Sequence, residues 1–312
     1  MACYHPQTVY RSKSGRNPET GLWPVVFNPK EGYHDLSLQI PCGRCIACRL
    51  EKSRQWAIRC VHEAKMHESN MFITLTYNED NERKSLVKED FVLFMKRYRK
   101  ECGNGIRYFH CGEYGENFDR PHHHACIFGH RFDDLTHWST RNGIPLYRSL
   151  TLEKLWRNPK TKESYGFSTV GDVNWESAAY VARYVTKKIT GGRAESHYAG
   201  RQPEYVSMSL KPGIGRPFYD KFGDDMYNAD QCVVREGLIC KPARYYDKIY
   251  DKEQPMRMAH IKGIRKEEGK FYAQDYESLE RSEKLKIYQQ NRIRRSYESD
   301  VRRFKENCDY FK

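Results

Sequence analysis

Residues 121–128 read Pro-His-His-His-Ala-Cys-Ile-Phe, and this run confines the fold more than any other stretch of the chain. As a strand it sends successive side chains to opposite faces, so His122 and His124 share one face and His123 looks the other way with Ala125 and Ile127. Pro121 suits the first position of a strand, where its missing N–H costs no ladder bond. The apolar Ala125, Ile127 and Phe128 keep the strand from being fully exposed, so His123 is expected to be a hydrogen-bonded structural residue. Residues 106–111, Ile-Arg-Tyr-Phe-His-Cys, form a second strand, and the turn-rich Glu-Tyr-Gly-Glu-Asn-Phe-Asp-Arg-Pro between the two predicts a hairpin.

The remaining elements build around that hairpin. β-branched and aromatic residues predict strands at 71–77 and 166–173, with a last strand at 204–209. Trp56, Cys60 and Ala64 recur at helical spacing within 50–68. Phe91, Phe94, Met95 and Tyr98 make one face of a helix over 90–100, with Asp90 as its N-cap. A further helix runs from Trp175 to Ile189, opened by Asn174 and stopped by Gly191. Residues 1–41, rich in Pro, Gly and Asn, read as an irregular arm. Strands and helices mixed in this order predict an α+β fold, an antiparallel sheet covered by helices.

Two imidazoles on one strand face stand roughly 6–7 Å apart at Cβ, a span that one divalent ion bridges. Two His and a carboxylate suit Mg²⁺ or Mn²⁺ when phosphate oxygens complete the shell. Glu113, across the hairpin, is the preferred third ligand for His122 and His124, with Glu116 as the alternative. The second chemical feature is Ser177-Ala-Ala-Tyr180-Val-Ala-Arg183-Tyr184-Val-Thr-Lys187-Lys188. Tyr180 and Tyr184 lie one helical turn apart, with Lys187 and Lys188 beside them. A phenol with its usual pKa near 10 is a poor nucleophile at neutral pH. It needs a cation to hold the phenolate and a metal to polarise the phosphate it attacks.

Composition supplies the substrate class. A net charge of +13 favours a polyanion, and 23 Tyr among 13% aromatic residues suit single strands, whose bases stack on rings. Arg120, Arg183, Lys211 and Arg216 are the candidate phosphate contacts, the last two in the glycine-bearing loop Lys-Pro-Gly-Ile-Gly-Arg. The N-terminal Met-Ala-Cys-Tyr-His-Pro-Gln-Thr-Val-Tyr lacks an apolar leader, and no apolar run approaches a bilayer's thickness, so a soluble, cytoplasmic protein with no membrane partner is expected. Its 11 Cys are then thiols or metal ligands. Cys42, Cys45 and Cys48 have zinc-knuckle spacing, and Cys3, with His5 or Cys60 behind it, is the candidate fourth ligand of a structural Zn²⁺.

An HxH strand followed by a YxxxY helix resembles the HUH superfamily of nicking and rolling-circle replication proteins. Within it the chain is most similar to the replication initiators of gokushovirus-like Microviridae, small single-stranded-DNA phages. The likeness is carried by residues 41–60, 72–77, 111–129, 177–188 and 204–215. It implies a five-stranded, RRM-like antiparallel sheet, a metal at His122 and His124, and nucleophiles at Tyr180 and Tyr184 used in alternation. One departure is that the middle position of the triplet, usually hydrophobic, is His123. On this basis the chain divides into a Cys-containing arm (1–49), an HUH endonuclease domain (50–222) and a basic, mainly helical C-terminal region (235–312), helical in particular from Tyr276 to Phe311. The implied partners are single-stranded DNA at a viral origin and a host helicase and polymerase, in a bacterial host's cytoplasm. Two rivals remain at this stage. One is a single-strand-binding protein that does not cut; the other is a histidine-nucleophile hydrolase, which lacks the third alternating His because position 126 is Cys.

Overall fold

The computed structural model describes residues 3–19, 21–81, 83–115, 120–141, 143–187, 192–235 and 237–271, with Arg281, Lys284, Leu285 and Tyr288 beyond them. The chain forms two compact units, one of residues 1–51 with 265–312 and one of residues 52–264. Of the helix expected from Tyr276 to Phe311, only those last four residues are described, all helical.

The first unit corrects the expectation of an irregular arm. Strand β1 (Gln7–Ser12) lies between β2 (Val25–Val26) and β3 (Gly32–Ile40) in an antiparallel sheet. Leu36, Leu38 and Ile40 alternate with polar residues in β3, and Leu38 pairs with Val9. The prolines and glycines that suggested disorder fall in the connections. Pairing of Gln7 with Ile40 brings the chain before β1 against the chain after β3. There, at the start of helix α1 (Ile46–Ala64), the sulfurs of Cys3, Cys42, Cys45 and Cys48 lie within 4.8 Å of one another. Of the three residues considered as fourth partner, Cys3 is the one assembled; His5 is exposed and Cys60 is buried in the second unit.

The second unit continues α1 and then runs β4 (Asn70–Thr76), α2 (Lys88–Cys102), β5 (Arg107–Tyr114), β6 (Pro121–Phe128), β7 (Thr136–Arg141), β8 (Ile144–Arg148), α3 (Leu150–Leu155), β9 (Ser168–Gly171), α4 (Trp175–Lys187), α5 (Arg193–Tyr198), β10 (Tyr205–Met208), α6 (Arg216–Ala229), β11 (Cys232–Arg235), β12 (Leu238–Cys240), α7 (Arg244–Glu253) and α8 (Pro255–Phe271). The main sheet is antiparallel in the order β10-β5-β6-β4-β9-β8-β7. It has seven strands where five were expected. The additional pair is the β7–β8 hairpin, joined to β9 through Tyr147 and Val170. The Asn142-Gly143 dipeptide between two β-rich segments is a hairpin signal present in the sequence, and it marks this pair.

Alternation along the strands builds two cores. Met71, Ile73, Leu75, Ala125, Ile127 and Val170 project to one face and bury Phe91, Phe94 and Tyr98 of α2 with Leu152 and Leu155 of α3. Phe109, Cys111, Cys126 and Phe128 project to the other and bury Ala57 and Cys60 of α1 with Ala178, Val181 and Ala182 of α4. A third core joins Ile58 of α1 to Phe218 and Met226 of α6, Tyr246 and Tyr250 of α7, and Met258 and Ile261 of α8. The charge-rich composition beyond residue 235 concealed this core, because few but large apolar side chains at i,i+4 spacing carry it.

Asp90 does not cap α2. The cap position is Val87, without a side-chain bond, and Asp90 is buried, accepting hydrogen bonds from Tyr77 and Tyr165 hydroxyls at 2.9 Å each. A carboxylate with two buried phenol donors is worth more there than at an exposed helix end. Asn174 does cap α4: its Oδ1 accepts from Ser177 N at 2.7 Å while Ser177 Oγ accepts from Asn174 N at 2.9 Å, a reciprocal capping box. Gly191 lies outside the described residues.

Candidate active site

Antiparallel register fixes which groups meet. Across β5–β6, Glu113 pairs with His122 and Cys111 with His124; across β4–β6, Thr74 pairs with His124. Parity therefore sets His122 and His124 on the face that carries α4, with ring centroids 6.3 Å apart and planes only 6° from parallel. Buried His124 is held at both nitrogens, Nδ1 to Thr74 Oγ1 at 2.9 Å and Nε2 to Glu113 Oε1 at 2.7 Å. A carboxylate only accepts, so Nε2 carries the proton and the Thr74 hydroxyl donates to Nδ1. The Phe72 ring lies nearly parallel to His124 at 5.9 Å. His122 donates from Nδ1 to the Arg120 carbonyl at 2.7 Å, which leaves Nε2 as its lone-pair nitrogen. Burial, with His124 as like-charged neighbour, lowers the His122 pKa to about 4, so the ring is neutral at neutral pH. Gly115 makes room for it: a Cβ there would stand 2.9 Å from His122 Cε1.

Tyr180 completes the cluster. Its ring meets His124 edge-on, with centroids 5.2 Å apart and planes at 85°, and meets Phe72 at 6.3 Å. Helix α4 is fixed over β5, β6 and β10 by its capping box, its buried Ala178, Val181 and Ala182, and a hydrogen bond from Ser53 Oγ to the Ala179 carbonyl at 3.3 Å. Arg183, Tyr184 and Lys187 follow on the same helix, their side chains outside the description; Lys188 and Glu116 lie outside the described residues altogether. The structure thus brings together His122, His124, Glu113 and Tyr180. The candidate phosphate contacts are spread more widely. Arg120 sits directly before the histidine strand, 3.6 Å from Glu79. Lys211 is exposed between β10 and α6, and Arg216 pairs with Asp220 at 2.6 Å and Glu253 at 3.4 Å.

His123 serves the opposite face. Its Nδ1 lies 3.1 Å from His110 Nε2 and its Nε2 lies 3.2 Å from the Tyr77 hydroxyl. Beyond these, His110 Nδ1 meets Ser207 Oγ at 2.9 Å. Tyr77 must donate to Asp90, so it accepts from His123; His123 then accepts from His110, and His110 from Ser207. Every donor in this chain points toward Asp90, beside which Arg83 stands at 3.3 Å. Burial drives the pKa of His110 well below its ordinary value and that of His123 to about 3, so both rings are neutral.

The residues present fit a divalent metal by donor chemistry: two neutral imidazoles and a carboxylate on one buried face. Thr74 behind His124 and the Arg120 carbonyl behind His122 are the outer hydrogen bonds that orient ligating histidines. Sequence reasoning missed both of these, along with Phe72 and Gly115. Thr74 was open to discovery, since pairing 71–77 antiparallel to 122–128 sets it opposite His124; a carbonyl partner and a steric gap leave no mark on residue type.

The family whose sequence model matches is that of the replication-associated protein ORF2, over residues 70–189, a span that opens with β4 and takes in every member of this cluster. The chain is similar to Replication-associated protein VP4 of Bdellovibrio phage phiMH2K, 33% identical over 242 residues covering 74% of each chain. It is also similar to Replication-associated protein ORF2 of Spiroplasma virus 4, 30% identical over 274 residues and 81% of each chain. Replication-associated protein ORF4 of Chlamydia phage 1 is 30% identical over 199 residues, 59% of this chain and 48% of its own. No solved structure matches significantly. The chain belongs to the family of phage replication-associated proteins.

Proposed function

We propose that this protein initiates rolling-circle replication by nicking single-stranded DNA at a viral origin through a tyrosine, in the manner of HUH endonucleases. The observation that carries the reading is the edge-on approach of Tyr180 to His124, on the sheet face where His124 is bonded to Glu113 and flanked by His122. His122, His124 and Glu113 would hold Mg²⁺ or Mn²⁺, which when bound polarises a phosphate and steadies charge on its oxygens. Thr74 and the Arg120 carbonyl keep the two rings turned toward that position. The Tyr180 oxygen forms a bond to phosphorus as the bond from phosphorus to the 3′ oxygen breaks, and the phenol's proton ends on the released 3′-hydroxyl. The product is a 5′-phosphotyrosine that retains the energy of the ester, so Tyr184 can accept the next strand and rejoining needs no ATP. Lys187 and Lys188 would stabilise the phenolate, and Arg120, Arg183, Lys211 and Arg216 would track the phosphates. The free 3′-hydroxyl calls for a host polymerase and helicase in the bacterial cytoplasm. Among the described residues no helix is long and apolar enough to cross a membrane.

The test is a nicking assay with Mn²⁺ on end-labelled single-stranded origin DNA, comparing wild type with Tyr180→Phe, Tyr184→Phe, the double variant and His122→Ala. A covalent protein–DNA adduct that disappears in the double variant and in His122→Ala is the expected result. An adduct that survives the double variant refutes tyrosine attack, and tight binding without any adduct in wild type points to a binding protein.

A further inference from the structure

The first unit poses a stability problem of its own. Among its described residues up to 51, the buried apolar side chains are Tyr4, Val9, Cys45 and Ala47, while Leu22, Phe27, Leu36 and Leu38 are exposed. A core that thin supplies too little burial to hold a unit of this size, and small units of this kind are held by disulfides or metals. The cysteines among these residues are all free thiols. Around Tyr4 and Ala47 four of them converge.

We infer that Cys3, Cys42, Cys45 and Cys48 bind one structural Zn²⁺ that closes the N-terminal sheet onto the start of α1. With Zn–S bonds of about 2.3 Å, tetrahedral sulfurs stand about 3.8 Å apart. Cys3 Sγ and Cys45 Sγ are 3.9 Å apart, and all four sulfurs fall within 4.8 Å of one another. A disulfide would require about 2.0 Å. The local backbone is arranged for anionic sulfur: Arg44 N and Cys45 N point at Cys42 Sγ at 3.4 and 3.3 Å, and Cys42 N at Cys3 Sγ at 3.2 Å. Gly43, at φ +73°, makes the turn that lets both amides reach one sulfur. Two ligands come from this turn, one from the first turn of α1 and one from the strand arriving by the β1–β3 pairing. Four protein ligands leave no open position, so the site is closed and its role is to fold the unit. The inference is independent of the nicking chemistry.

The experiment is metal analysis of the full-length chain purified without chelator, with mercurial titration of thiols monitored by zinc release, and limited proteolysis before and after release. One zinc per chain is expected, lost together with the reaction of these thiols, after which residues 3–48 become protease-sensitive. Cys42→Ser with Cys45→Ser should lose the zinc, while Cys102→Ser and His122→Ala with His124→Ala should keep it. Should the cysteine variant fail to fold, the wild-type chain still decides through the thiolate-to-metal absorption of its Co²⁺ form. A wild type that lacks zinc, carries iron, holds a disulfide among the four, or keeps its zinc in the cysteine variant overturns the inference.

Discussion

Tyr77→Phe removes one oxygen from the middle of the hydrogen-bond chain on the far side of the sheet. Two losses follow. His123, fully buried, keeps a donor at Nε2 that has lost its acceptor, at a cost of about 1–3 kcal/mol. Asp90 loses one of its two phenol donors, and hydrogen bonds to a charged group contribute about 1.5–3 kcal/mol. Tyr165 and Arg83 still serve Asp90, so the low end of each range applies, and the sum is about 3 kcal/mol. Tyr205→Phe is the matched control. Its buried hydroxyl meets no hydrogen-bond partner among the described residues, so the same chemical change should be neutral or stabilising by up to about 1 kcal/mol. Urea denaturation of the full chain at neutral pH, followed by fluorescence, measures both. With a slope of about 2–3 kcal/mol per M, Tyr77→Phe should lower the midpoint by about 1 M at unchanged slope. Equal midpoints for the two variants would refute the directed chain of donors. Adduct formation by Tyr77→Phe under native conditions should stay within about threefold of wild type, since Tyr77 lies on the face away from His122 and His124.

Three further outcomes follow from the same geometry. Burial lowers His62 to about 4 and His123 to about 3, so the unfolded chain binds protons below pH ~6.5 that the native state refuses; their contribution is complete above that pH and falls by about 1.4 kcal/mol per ring per pH unit as pH drops, about 4 kcal/mol for the pair at pH 5. A urea midpoint unchanged between pH 7 and pH 5 would contradict this, and His62→Gln should flatten the profile. Gly115→Ala pushes against His122 and should weaken Mn²⁺ binding by about tenfold while leaving stability nearly unchanged, read by calorimetric titration. Asn174→Ala breaks the α4 capping box and should cost about 1 kcal/mol in the same urea assay, with no change meaning that the reciprocal bonds are not formed in solution.

Much of the site was legible because a strand has an exact period. Parity alone assigns His122 and His124 to one face and His123 to the other, and the hairpin alone sets Glu113 opposite His122. What stayed hidden depended on contacts between distant elements. Asp90 has the residue type and position of a helix cap, yet two phenols from elsewhere in the chain draw it inward. The N-terminal strands were obscured by the composition of their connections, and the core of α6, α7 and α8 by the charges surrounding a few tyrosines. The cysteine quartet was half legible: the spacing names three sulfurs, but only the register of β1 against β3 selects Cys3 as the fourth.

Three identical rings in succession carry no information about which is which; each acquires its task from the neighbours it finds across the sheet. If β6 were to pair one residue out of step, the face beneath α4 would receive Pro121, His123 and Ala125, a single imidazole, while two imidazoles would be driven among Phe91, Tyr77 and Trp156. A misregistered molecule would therefore forfeit its paired ligands and its stability together. Under the proposed chemistry no half-assembled form could cut DNA loosely, so the same alternation that builds the centre would also keep badly folded copies of the protein harmless to the genome they copy.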